Sequence, residues 1–182
     1  MRNLNSKKLS ILVALVMMIS MVAGMSVTAQ ASANDNVNIT IDGTSFTKAE
    51  ITQSDENGQT GVSTAIYTRV KKNNVKETFK VTGITVSKLS EKFLGSIDPA
   101  SITVSSPDNT HNPGTPYVKT INRPAGGWDD VMLIWEKEKV IGNGQYGPDL
   151  INDTFETAVK GTVSNPSPAN QWVKNVTIMT TN

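Results

Sequence analysis

The sequence predicts a β-rich domain with short helices, preceded by a secretory leader. Three observations support this prediction. Apolar and polar residues alternate in several short stretches, one stretch changes to a period of about three and a half, and the first three dozen residues differ in composition from the rest. A period of two is typical of a half-buried strand, and a period near 3.6 is typical of a helix. The length of 182 residues favours one domain.

The N-terminal segment is typical of a secretory signal peptide. Basic residues within 2–8 precede an apolar run at 11–22, and Ala31-Ser32-Ala33 offers the small residues that cleavage requires. A membrane anchor is the alternative, but the apolar run is shorter than the roughly 20 residues that cross a bilayer. We therefore predict a signal peptide over 1–33 and a single domain over 34–182, secreted or at the cell surface, without a membrane association after cleavage.

Charge and cysteine content exclude several classes of function. Without the leader, which holds three basic residues and no acidic one, the chain has 14 basic and 16 acidic residues, a formal charge of −2. The densest basic cluster, Arg69, Lys71, Lys72 and Lys76, is typical of a solvated strand end, so we expect no nucleic-acid binding. An exported chain with no cysteine is stabilised by packing alone and points to a bacterial source.

The first half of the domain predicts strands, then a helix. Residues 37–41 alternate as a half-buried strand, whereas 46–51 fits either a short helix or an extended stretch. Residues 63–81, with a polar turn at 71–74, predict a hairpin. Apolar residues at helical spacing then predict a helix of two to three turns, with Ser87 capping its first turn and an end near Gly95.

The second half of the domain predicts mainly strands and loops. Ile102 and Val104 mark a strand, and the Pro- and Asn-rich stretch 106–116 predicts a loop. The continuous apolar run 131–135 is typical of a strand buried on both faces. We expect a glycine-rich turn over 142–148. A final strand is predicted over 171–179, with Trp172, Val176 and Ile178 as its apolar positions.

Catalytic motifs are scarce. His111 is the one histidine, so a zinc site or a Ser-His-Asp triad has little to be built from, and a solvated loop residue is the simpler interpretation. The adjacent carboxylates Asp129-Asp130 and Asp55-Glu56 point to opposite faces if they lie on a strand, which does not suit a shared substrate. No nucleotide-binding, zincin or hydrolase motif is present. The sequence therefore does not favour an enzyme.

Two clusters could bind a ligand. In residues 122–130, Arg123 and Trp128 flank two glycines, which would let backbone N–H groups approach an anion beside an aromatic wall. The alternative is a Gly-Gly turn in which Trp128 covers a sheet end. The second cluster is the tight turn at Tyr146, for which a structural role is again the alternative.

Four segments of the chain follow one another in a recognisable order: KVTGITVSKL (80–89), the apolar run 131–135, GQYGP (144–148) and QWVKNVTI (171–178). The order is a strand that leads into a helix start, then an apolar strand, then a Gly-Pro turn, and finally a strand that begins with a tryptophan. It resembles the molybdopterin-binding domain of sulfite-oxidase-type oxidoreductases over roughly residues 36–182. The resemblance implies an α+β fold, with a mixed, β-rich core and short helices.

The same resemblance implies a molybdopterin cofactor, but the sequence departs from the family at its functional positions. Members that transfer oxygen atoms hold molybdenum through a cysteine thiolate, a soft ligand that this chain cannot supply. The Gly147-Pro148 turn lacks the family's arginine, and Arg123 or Lys119 would replace it only by chance of geometry. We therefore expect no metal and no cofactor, with molybdopterin suggested by the resemblance alone.

Three hypotheses remain open. The first is a secreted, non-catalytic module that binds a small molecule or a cell-surface partner. Its candidate ligand-binding residues are Arg123, Trp128, Lys119, His111 and Tyr146. This hypothesis predicts that Arg123 and Trp128 lie exposed in one concavity. The second is a degenerate pterin-binding redox protein, which predicts basic side chains beside Gly147. The third is an extracellular structural or adhesion domain with a β-sandwich fold and no pocket.

Overall fold

The computed structural model describes most of the domain but not the leader. The described residues are 37–55, 57–95, 97–107, 114–142, 145–149 and 154–182. The predicted signal peptide and His111 therefore lie outside them. No helix in these ranges is both long enough and apolar enough to cross a membrane.

The described residues form two α-helices and eleven strands, with two short 3-10 turns at Trp128–Asp130 and Ala169–Gln171. The helices are α1 (Lys48–Thr52) and α2 (Val86–Phe93). The strands are β1 (Asn38–Ile41), β2 (Thr44–Thr47), β3 (Val62–Val70), β4 (Lys76–Thr85), β5 (Ser101–Ser106), β6 (Tyr117–Asn122), β7 (Val131–Ile141), β8 (Gln145–Asp149), β9 (Glu156–Val159), β10 (Ser167–Pro168) and β11 (Ile178–Thr181).

The strands form two mixed sheets. Sheet A has the order β2-β1-β11-β5-β6, in which β1 and β11 are parallel and the other pairs antiparallel. Sheet B has the order β10-β3-β4-β7-β8, and β9 also pairs with β7. Only β10 and β3 run parallel among the described pairs of sheet B. The predicted α+β class, with a mixed, β-rich core and short helices, is confirmed at this level.

Two apolar clusters lie on opposite faces of sheet B, and β7 contributes to both. Val131, Leu133 and Trp135 belong to the larger cluster, which also contains the inward-facing residues of sheet A (Ile39, Ile41, Ile102, Val104, Ile121 and Met179). Met132 and Ile134 belong to the second cluster, with Tyr67, Phe79, Val81, Ala158 and Trp172. The run 131–135 is therefore apolar throughout because both of its faces are buried, as predicted.

Several predicted elements are confirmed. The strand near 37–41, the hairpin formed by β3 and β4, the helix over 86–93 and the strand at Ile102 and Val104 are all present. The ambiguous segment 46–51 divides between the end of β2 and α1. Thr47 and Glu50 form a capping box there, each side chain accepting from the other residue's backbone N–H.

Three local predictions were wrong. The cap of α2 is Thr85, whose Oγ1 accepts a 3.2 Å hydrogen bond from the Lys88 N–H; Ser87 already lies inside the helix. Most of the predicted turn at 142–148 is strand β8, which extends sheet B as an edge. In the predicted strand 171–179, only the last two residues are strand, and Ile178 is exposed.

The segment before β11 is irregular and makes isolated hydrogen bonds, including the Val176 N–H to the Phe155 carbonyl oxygen, and not a continuous ladder. The Trp172 indole N–H donates to Ser167 Oγ at 2.9 Å, and the Val173 N–H donates to Thr157 Oγ1 at 3.1 Å. Asn175 has a positive φ of 51°. The apolar spacing of Trp172 and Val176 thus reflects burial without a strand.

Gly83 permits the close approach of β4 and β7. The strand register shifts between Thr82 and Gly83, and a Cβ at Gly83 would lie 2.2 Å from the Leu133 carbonyl oxygen. Backbone on a central strand cannot move aside as a flexible side chain can. A side chain at this position would therefore force the two strands apart.

We expect Gly83→Ala to lower the free energy of unfolding by about 2 kcal/mol or more through this overpacking. Gly142→Ala is the matched control, because a Cβ there meets no atom within 4 Å, and its effect should stay within about 0.5 kcal/mol. Urea-induced unfolding followed by circular dichroism measures both. Equal stability of the two variants would contradict the close approach.

Beside the second cluster, the side chains of sheet B form ion pairs. Lys137 and Glu156 pair directly and are almost completely buried. Nearby, the Glu77 carboxylate accepts from Lys71 (2.9 Å), Arg69 (3.0 Å) and Lys139 (3.3 Å) and is 8% exposed. Burial alone would raise the pKa of Glu77, but the hydrogen bonds from these three cations outweigh it and lower the pKa from 4.5 to about 2.

This pKa shift predicts an acid-dependent contribution to stability. Because folding lowers the pKa of Glu77, ionised Glu77 stabilises the fold above about pH 4.5, and that contribution is lost as the pH falls towards 2. We expect Glu77→Gln to cost about 2 kcal/mol near neutral pH. The difference from the unsubstituted protein should shrink between pH 4.5 and 2 in urea unfolding series. A difference that is constant with pH would exclude the ionised carboxylate as its cause.

Candidate functional site

The fold brings two of the predicted site residues together at one concavity of about 480 Å³. Arg123 and Trp128 line it from the segment that follows β6. The opposite wall comes from α2 and from the loop after it. The other lining residues are Ser87, Ser90, Glu91, Ile97, Asp98, Gly126, Gly127 and Asp129.

The two glycines of this segment have different surroundings. Gly127 has a φ of 77°, in the left-handed region, and its N–H donates to the Pro124 carbonyl oxygen at 2.9 Å. A Cβ at Gly126 would lie 1.7 Å from an oxygen of the Asp130 carboxylate, which also pairs with Lys160 at 3.0 Å. The Gly127 N–H is therefore committed to the turn, contrary to the expectation that it would face an anion.

Trp128 is less exposed than the binding hypothesis requires. The side chain is only 4% exposed and belongs to the larger apolar cluster. Its indole N–H donates to the Pro99 carbonyl oxygen at 2.9 Å, which ties the 3-10 turn to the loop before β5. The prediction of an exposed Trp128 was wrong. The residue anchors the wall of the concavity, as the alternative of a tryptophan covering a sheet end suggested.

Arg123 is the exposed cation of the concavity. Its Nε donates to Asp98 Oδ1 at 2.9 Å, and 47% of its side chain remains exposed. Glu91 pairs with Lys88 at 2.6 Å on the surface of α2. Three carboxylates and one guanidinium therefore line a polar, solvent-open concavity, with Ser87 adding a hydroxyl group.

Further polar concavities adjoin α2, and sequence reasoning missed them. One is lined by Asp55, Gln59, Lys88 and Lys92, among others. The Lys92 ammonium donates to the carbonyl oxygens of Ile51, Gln53 and Thr60, and burial lowers its pKa. Lys92 thus holds the main chain at residues 51, 53 and 60 against the helix. No local signal shows this, because the three carbonyls are more than thirty positions away in the chain.

The remaining predicted site residues lie elsewhere. Lys119 is a half-buried residue of β6, opposite Val104 and between the core-facing Tyr117 and Ile121. Tyr146, on β8 of sheet B, is 46% exposed and has the Lys80 ammonium 4.8 Å from its ring centroid. Neither residue lines the concavity around Arg123.

The residues present do not fit a molybdenum-pterin group. The chain has no cysteine, and within the described ranges no three His, Asp or Glu side chains are grouped as metal ligands. Beside Gly147, Lys139 contributes its backbone, while its ammonium binds Glu77. Lys80, next to Tyr146, binds Glu138 at 2.7 Å. The cations near β8 thus neutralise carboxylates and do not converge at Gly147.

A comparison with models of known protein families gives no match to this chain, and a search of curated proteins gives no match either.

The cap of α2 holds the wall that carries Ser87 and Glu91. We expect Thr85→Ala to cost about 1 kcal/mol of unfolding free energy, because the Lys88 N–H loses its acceptor. Ser87→Ala, inside the helix, should change stability by less than about 0.5 kcal/mol. Thermal and urea unfolding of the two variants compare them, and a larger loss for Ser87→Ala would reassign the cap.

Proposed function

We propose that this protein is an exported, non-catalytic binding module. In this proposal its α+β domain, whose order of sequence segments resembles the molybdopterin-binding domain of sulfite-oxidase-type oxidoreductases, serves binding without the metal chemistry of that family. A small polar ligand, or a polar group of a surface partner, binds in the concavity around Arg123. The observation that carries the proposal is the convergence of Arg123, the Gly126-Gly127 turn and α2 on one polar concavity.

The concavity has the features of a binding site on a rigid support. Its walls are fixed by the Trp128 hydrogen bond to Pro99 and by the Thr85 cap, so the arginine is presented from ordered backbone. A mixture of carboxylates, hydroxyls and a guanidinium supports recognition of a ligand that carries both donors and acceptors. No pair of these groups has the arrangement of a nucleophile with its base, which supports binding without catalysis.

A structural or adhesive role is the second candidate. It is favoured by the outward face of sheet A, where Asn38, Thr40, Ser45, Thr103, Ser105, Val118, Thr120, Asn122, Ile178 and Thr180 include no charged side chain. The concavity around Arg123 counts against the form of this hypothesis that expects no pocket. The pterin-binding alternative has less support, because the cations near β8 are already paired.

The binding proposal is tested by NMR titration of the purified, ¹⁵N-labelled protein with a panel of amino acids, amines, sugars and small carboxylates. We expect a binding compound to shift amide signals of residues 87–91, 97–98 and 123–129. Arg123→Ala should lower the affinity for that compound about tenfold or more, since a hydrogen bond to a charged group contributes about 1.5–3 kcal/mol. Lys119→Ala is the control, because it removes a cation outside the concavity.

Shifts that cluster elsewhere, or equal weakening by both variants, would contradict the proposal. Metal and pterin analysis of protein isolated from its own organism tests the alternative. Stoichiometric molybdenum or tungsten with a pterin would replace the binding proposal by a redox role.

A further inference from the structure

A second polar cluster lies at the hairpin end of sheet B, remote from Arg123. Lys71 and Lys72 belong to the turn between β3 and β4, and Arg69 is the last residue but one of the preceding strand. The fold adds Lys139, because the antiparallel pairing of β4 with β7 places Lys139 opposite Phe79. Since β4 has ten residues, this end lies about 30 Å from the end that leads into α2.

Glu77 arranges the cations of this cluster. One carboxylate oxygen, Oε1, contacts both the Lys71 ammonium (2.9 Å) and the Lys139 ammonium (3.3 Å). The other oxygen accepts from Arg69 through Nη2 (3.0 Å) and Nε (3.2 Å). Because both ammonium groups share one oxygen, they are held side by side at the surface. We call Lys71, Lys139 and the underlying Glu77 the lysine clamp.

The two ammonium groups are exposed enough to donate to a ligand, whereas the guanidinium is mostly buried. The side chains of Lys71 and Lys139 are each 46% exposed, and an ammonium group has three N–H donors. Arg69 is 13% exposed. Its guanidinium lies 4.9 Å from the Phe79 ring centroid and 5.2 Å from that of Trp172. Arg69 therefore fixes Glu77, and the two lysines face solvent.

The clamp carries an excess of positive charge. Glu77 is the one carboxylate, within the part of the chain that the structure describes, that forms an ion pair with Arg69, Lys71 or Lys139. Exposed Lys72 and Lys76 adjoin it, and the Lys76 ammonium donates to the Val163 carbonyl oxygen. Three cations thus contact a single carboxylate, and two further lysines are close to them in the chain.

We propose that the lysine clamp binds phosphate groups of a polyphosphate-type chain. Ammonium groups act as point charges and suit a ligand of high charge density such as phosphate, and Arg69 is already engaged by Glu77. One phosphate bridges Lys71 and Lys139, and Lys72 contacts a neighbouring phosphate. The aromatic rings nearest the clamp, Phe79 and Trp172, are buried, so it offers no stacking surface for bases and does not favour single-stranded nucleic acid.

The test measures binding of long-chain inorganic polyphosphate to the full chain by isothermal titration calorimetry at several salt concentrations. We expect Lys71→Gln/Lys139→Gln to weaken binding at least tenfold. The slope of log K against log salt should fall by about 1 for each lysine removed. Lys80→Gln/Lys119→Gln, which removes the same charge elsewhere, should stay within twofold of the unsubstituted protein. Circular dichroism confirms that each variant is folded.

Lys72→Gln provides a test that leaves the contacts of Glu77 intact, and a severalfold loss of affinity is expected. Equal losses in the clamp and control variants, or affinity that does not change with salt, would overturn the proposal. Single-stranded DNA or anionic phospholipid vesicles that bind more tightly than polyphosphate, at equal phosphate concentration, would overturn the choice of partner. None of these results depends on whether the concavity around Arg123 binds a ligand.

Discussion

Alternation along β7 is the constraint on which the rest of the structure depends. Its odd-numbered apolar residues, Val131, Leu133 and Trp135, face sheet A, and its even-numbered ones, Met132 and Ile134, face the second cluster. A slip of one residue would exchange the two sets and leave both clusters with the wrong shapes. Gly83 helps to fix the register, because a Cβ at its position would lie 2.2 Å from the Leu133 carbonyl oxygen.

The same strand explains how polar chemistry is distributed over the domain. Beyond Trp135 the strand carries charged residues. Buried Lys137 pairs with Glu156 of β9, and Lys139, two positions further along and 46% exposed, pairs with Glu77 of β4. Removing one partner of such a pair leaves the other charge without compensation, so the pairs constrain how these strands are arranged. The 3-10 turn immediately before β7 carries Trp128 and thereby forms a wall of the concavity.

Elements whose residues contact near neighbours could be predicted from the sequence. The hairpin and α2 have an apolar period, and β7 has a continuous apolar run that matches the burial of both its faces, so pattern and structure agree. β6 and β9 were not predicted, because charged residues occupy inward positions on them. These residues are Lys119 on β6 and Glu156 on β9, and Glu156 is neutralised by Lys137 of β7. Such compensation between distant residues leaves no trace in a local pattern.

The residues of the concavity also divide into those that the local sequence predicts and those that only folding brings together. Arg123 and Trp128 were found because they are five positions apart, whereas Ser87, Glu91 and Asp98 join them only through folding. The burial of Trp128 could not be predicted, since the acceptor of its indole N–H is a backbone carbonyl 29 residues away. In the lysine clamp, Lys139 and Glu77 are 62 positions apart in the chain, and the pairing of β4 with β7 brings them together.

The three tryptophans are distributed so that each reports on a different part of the molecule. Trp135 and Trp128 both belong to the cluster between the sheets, with Trp128 at its margin in the wall of the concavity, and Trp172 lies in the cluster on the other face of sheet B. All three are at most 5% exposed. The intrinsic emission of the folded protein is therefore that of shielded indoles, and variants that keep a single tryptophan would show separately whether each layer loosens at the same point of unfolding.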